Sequence, residues 1–163
     1  MEPIHPLFVH LPIALASLMP LMAAGLLLAW HKGWLPRRAF AIAVVLQVIL
    51  VGSGIAARQT GEMDEDRVEQ VVREAAIEAH EEAADVFLYG AGGALLLLLL
   101  GWLPGRAGKV AALVGTLGTA AVLGLGIRVG HLGGKIVYQE GGAAAWTDRQ
   151  WQIPAEGKDE DSD

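Results

Sequence analysis

Four apolar runs, at roughly 7–30, 39–57, 86–103 and 110–130, constrain this chain more than any other feature. Each is close to the roughly 20 residues that a helix needs to cross the hydrocarbon core of a bilayer. Backbone amides and carbonyls find no water there, so each run must satisfy them within its own helix. With 53% hydrophobic residues and a mean hydropathy of +0.43, the composition is too apolar for an ordinary soluble domain. The expected fold is all-α: an integral membrane four-helix bundle, up-down-up-down, over residues 1–142. The first run lacks the basic leader of a cleaved signal peptide and is expected to remain as the first span.

Charge is sorted between the two ends. The connections at 31–38 and 103–109 carry Lys32, Arg37, Arg38, Arg106 and Lys109 and no acid, while all 18 acidic residues fall at the other end. Basic residues in short loops mark the cytoplasmic side, which predicts a multi-pass protein with both termini outside. Between the second and third spans, Val68, Val72, Ala75, Ala79, Ala83 and Val86 recur at helical spacing. This predicts an extended amphipathic extramembrane helix, about 64–85, N-capped by Asp64 and leading unbroken into the third span. Residues 143–163 read as a polar, acidic, solvated tail.

An up-down-up-down path brings four of the five histidines to the acidic end: His5 and His10 on the first span, His80 before the third and His131 after the fourth. Histidine tolerates an interface because its ring is part apolar and part polar, yet ionisable groups near a bundle interior also mark sites. Depth matches His10 to His131, with His80 joining if the third helix packs early. His5 precedes Pro6, which suits a first helical position, so it marks the helix start and is a further candidate ligand. His31, beside Lys32, reads as solvated.

Beneath the histidines lie Gly52, Ser53, Gly54, Gly124, Gly126 and Gly130. Such residues let helices approach closely, as a Gly126/Gly130 pair would, or leave bare backbone for a flat macrocycle, with Gly54 and Gly126 facing it. Arg58 and Arg128, at a similar level, would pair with a carboxylate such as Asp85 or Glu82, or meet an anionic group of a cofactor. Gln47 is expected to hydrogen bond to a neighbouring helix. Pro12 and Pro20 each remove a helical donor and can bend the first span.

The opening HPLFVHLPIAL, the RQTGE that closes the second run, HEEAAD before the third and GHLGGKIVYQEGG after the fourth resemble the bacterial four-span membrane proteins catalogued as domain of unknown function 2231. The resemblance covers most of residues 4–142. It implies the fold and a redox setting, because some members are joined to or encoded near redox proteins, and it singles out His10, His80 and His131 within matching motifs.

The leading expectation is a b-type haem held near the periplasmic face by two of His10, His80 and His131, moving electrons between a quinone or a redox partner protein and an acceptor. A zinc or copper site on His10, His80, His131 and His5 is the alternative, and a non-catalytic membrane subunit or assembly factor, with or without homo-oligomerisation, is the third. With no cysteine there is no thiolate site and no thioether-linked haem. No hydrolase or transferase motif appears, and HEEAA lacks the second histidine of a zinc-protease helix.

Overall fold

The computed structural model describes residues 5–146, which form helices joined by short turns. Helix α1 is His5–Phe8 and α2 is His10–His31. They are separated only by Val9, whose angles stay helical (φ −72°, ψ −21°). Pro12 explains the break, since it has no N–H to give the carbonyl of Phe8 one turn back. Pro20 lies inside α2 without interrupting it.

A turn through Gly33, at φ 74°, leads to a 3-10 turn at Arg37–Phe40 and directly into α3, Ala41–Val68. Helix α4 spans Glu74–Leu100 and α5 spans Gly105–Tyr138. Gly141, at φ 78°, turns the chain into a last 3-10 turn at Gly142–Ala145.

Helices α2 to α5 form a closed ring of neighbours. Each packs on the next, α5 returns to α2, and the diagonal backbones stay more than 8 Å apart, Cα to Cα. The interior is filled by Leu15, Met19, Leu50, Phe87, Leu98 and Val122 with interleaved alanines. Outside, Leu18, Leu21, Val45, Leu96, Leu117 and Ile127 are exposed. Only 22–28% of each apolar window is buried within the chain, so most of this surface requires lipid around it.

The closest pairing, α4 with α5, depends on glycine. A Cβ on Gly115 would lie 2.9 Å from the Leu98 nitrogen and 3.1 Å from the Leu97 carbonyl carbon, so only hydrogen fits there. Polar side chains inside the spans satisfy themselves locally. Ser17 donates to the Ile13 carbonyl, Thr116 to that of Ala112 and Thr119 to that of Thr116. Gln47, fully buried, donates across to the Ala91 carbonyl at 3.0 Å.

Two boundaries differ from the sequence expectation. The amphipathic segment leads into the third span from Glu74 onward, but residues 64–68 belong to α3, and the chain reverses at 69–73. Asp64 is therefore mid-helix and not the N-cap of its own helix. The fourth helix continues past 130 to Tyr138, through Gly133 and Gly134. The tail expected over 143–163 begins in part within the last 3-10 turn, and beyond residue 146 it lies outside the described residues.

Candidate functional site

The longer α3 and α5 create the site. On α3, residues 57, 61 and 64 lie at steps of four and three and so share one helical face, and that face meets His5. The His5 amide donates to Asp64 Oδ2 at 3.0 Å. Asp64 thus satisfies an orphan donor at the start of α1, and its carboxylate sits where a helix start favours negative charge. The His5 ring lies against Gly61, where a Cβ would be 3.3 Å from its Nδ1.

His5 Nδ1 is 2.8 Å from the Ala57 carbonyl oxygen. A carbonyl only accepts, so Nδ1 carries a proton, and in the neutral ring the free lone pair is that of Nε2. A backbone carbonyl fixing one ring nitrogen in this way is the arrangement that orients ligating histidines.

Across the bundle mouth, the His80 ring lies against Gly133 of α5, where a Cβ would be 3.2 Å from Cε1. The backbone of Val129, one helical turn before Gly133, lies close to the ring. Its Nδ1 is buried and has no hydrogen-bond partner. The His5 and His80 ring centroids are 6.3 Å apart, with the planes at 86°.

The histidines do not assemble as expected. His10 and His131 are exposed on α2 and α5, and His5, read chiefly as a marker of the helix start, is the one that meets His80. The offset follows from α1: His5 lies five positions before His10, and the chain reaches the mouth of the bundle at His5. Among the described residues no three His, Asp or Glu side chains are grouped to hold a metal ion.

Gly54 and Gly126 do leave room for a flat ring, but that ring is Phe87. Modelling a Cβ on Gly54 places it 3.5 Å from Phe87 Cε1, and one on Gly126 falls 3.4 Å from Phe87 Cε2. Around Gly130, Gly124 and Gly52 there is open space, so the Gly126/Gly130 pair is not a helix contact. Arg58 pairs with Asp85, Nε to Oδ1 at 2.5 Å, and with Glu62 one turn on. Arg128 is exposed and has no hydrogen bond or ion pair among the described residues.

The sequence alone did not bring Ala57, Gly61, Val129 and Gly133 to the histidines, and it gave Asp64 another role, as an N-cap. The signal was present in their helical spacing, but it becomes visible only once α3 and α5 are extended through their glycines.

An outer tie sits beside the site. Arg73 Nε donates to Glu140 Oε2 at 2.8 Å, joining the start of α4 to the segment after α5. The Arg67 guanidinium lies 5.1 Å from the centroid of Trp146. The Arg73 guanidinium holds the Glu140 carboxyl below the usual carboxylate range.

A ring of four long apolar helices, each satisfying its backbone within itself, defines an integral membrane four-helix protein. The chain belongs to the DUF2231 family, described as predicted membrane proteins, which matches residues 1–145. No curated protein and no solved structure matches it.

Proposed function

We propose that this membrane protein holds a transition-metal centre between His5 and His80 at the mouth of its bundle. The observation that carries the reading is the pair of imidazoles 6.3 Å apart, one with its tautomer set by a carbonyl and the other with a buried, unpartnered nitrogen. Two metal–nitrogen bonds of about 2 Å, with half of each ring added, span roughly 6 Å. A lone buried ring nitrogen loses its water without compensation, and a metal ion would supply the missing bond. Imidazole nitrogen suits copper and zinc, with water completing the coordination.

In the haem form of this reading the same two residues would hold the group through their imidazole nitrogens. What favours it is the ligand count, because a b-type haem brings four nitrogens of its own and needs only two from the protein. It would lie outside Phe87, which fills the gap between Gly54 and Gly126. A lipid-soluble quinone would then have access through the open apolar groove of about 510 Å³ that includes Leu7, Leu11 and Ser53. With the basic loops cytoplasmic, the centre faces the periplasm and serves electron transfer or metal handling there.

The protein purified in mild detergent, analysed for metals and scanned from 350 to 700 nm, separates the forms. Close to one equivalent of copper or zinc without a Soret band supports the bare ion, and a Soret band supports the haem. Retention of neither, after reconstitution with copper, zinc and haem in turn, refutes the metal centre and leaves a subunit or assembly role.

A further inference from the structure

The opposite end of the bundle carries a second feature, independent of the histidine pair. A cavity of about 340 Å³ is lined by Trp30, Arg37, Leu103, Gly105, Arg106 and Lys109. Arg37 is held in place: its Nη2 donates to the carbonyls of Gly101 and Leu103 at 3.1 and 3.0 Å. Its guanidinium also lies 5.7 Å from the Trp30 ring centroid and 5.9 Å from that of Trp102. Nη2 alone makes these bonds, which leaves Nε and Nη1 for another acceptor.

Arg106 and Lys109 are exposed and make no hydrogen bond or ion pair among the described residues. No counter-ion is near in sequence, because no Asp or Glu occurs at 3–61 or 86–139. Three cations around one cavity with no carboxylate repel one another and favour an anion between them. The walls restrict which anion. Trp30 and Leu103 are apolar, and Trp102, exposed beside Arg37, adds an aromatic ring at the end of the spans, where an interfacial aromatic belt would sit. An anion attached to acyl chains satisfies both the cations and these walls.

We propose that this cavity binds the phosphate headgroup of an anionic phospholipid. Arg37 is the oriented fork for the phosphate oxygens, and Arg106 and Lys109 close over it as point charges. Basic pockets between membrane helices recognise headgroups through the same chemistry.

The test is native mass spectrometry of the detergent-purified full chain titrated with phosphatidylglycerol, phosphatidylcholine or inorganic phosphate. Retention of phosphatidylglycerol at least fivefold above phosphatidylcholine is expected, falling on the order of tenfold in Arg106→Gln/Lys109→Gln. The control Lys32→Gln/Arg38→Gln removes the same charge from the same end, outside the cavity, and is expected to keep retention. Equal loss in both double variants, or equal retention of the two lipids, overturns the site. Inorganic phosphate competing at the same concentration as the lipid overturns the lipid assignment.

Discussion

At the scale of single residues, glycine decides what fits, and the nearest atom decides the cost. At Gly115 an added methyl would meet the backbone of Leu97 and Leu98, whereas at Gly54 the nearest atom, 2.9 Å away, is the mobile Cδ2 of Leu88. Gly115→Ala is therefore expected to lower stability by about 1–3 kcal/mol, Gly54→Ala by less, and Gly130→Ala by almost nothing. Thermal unfolding in one detergent checks the order. Phe87→Ala opens the space between Gly54 and Gly126 and is expected to cost roughly 3 kcal/mol. Gly61→Val and Gly133→Val press on the His5 and His80 rings and are expected to weaken metal retention at least tenfold while the helical circular dichroism is kept.

At the scale of elements, the sequence was legible where apolar periodicity was unbroken and misleading where glycine punctuated it. The four spans and their order follow from hydropathy, and of the partners that charge left open for Arg58 the structure takes Asp85. The expected runs stopped at 57 and 130, short of Gly61 and Gly133, but both glycines lie within helices, each with an imidazole against the space a side chain would take. Moving those two ends shifts which histidines meet, so the site was the least legible part. The turn at 69–73 is tied to the end of α5 by Arg73 and Glu140. The Glu140 carboxyl titrates lower when folded than when unfolded, so the tie contributes fully above the ordinary value near 4.5 and is lost as pH falls through the lowered one. Hydrogen exchange of residues 136–142 is expected to accelerate on acidification below about pH 4, and Glu140→Gln should already exchange faster at pH 7.

At the scale of the molecule, a ring of four helices with lipid-facing sides carries different chemistry at its two ends. The cavity at the basic end brings three cations together with no carboxylate among its lining residues, and the acidic end brings two imidazoles together beside a helix start held by Asp64. The ring of neighbours holds both in place, because α4 and α5 position His80 while α1 and α3 position His5. The central claim is that His5 and His80, not His10 and His131, form the metal site. Equilibrium copper binding to the four single alanine variants in detergent tests it most directly. His5→Ala and His80→Ala are predicted to lose the single equivalent, and His10→Ala and His131→Ala to keep it; loss in either of the latter with retention in the former would contradict the account.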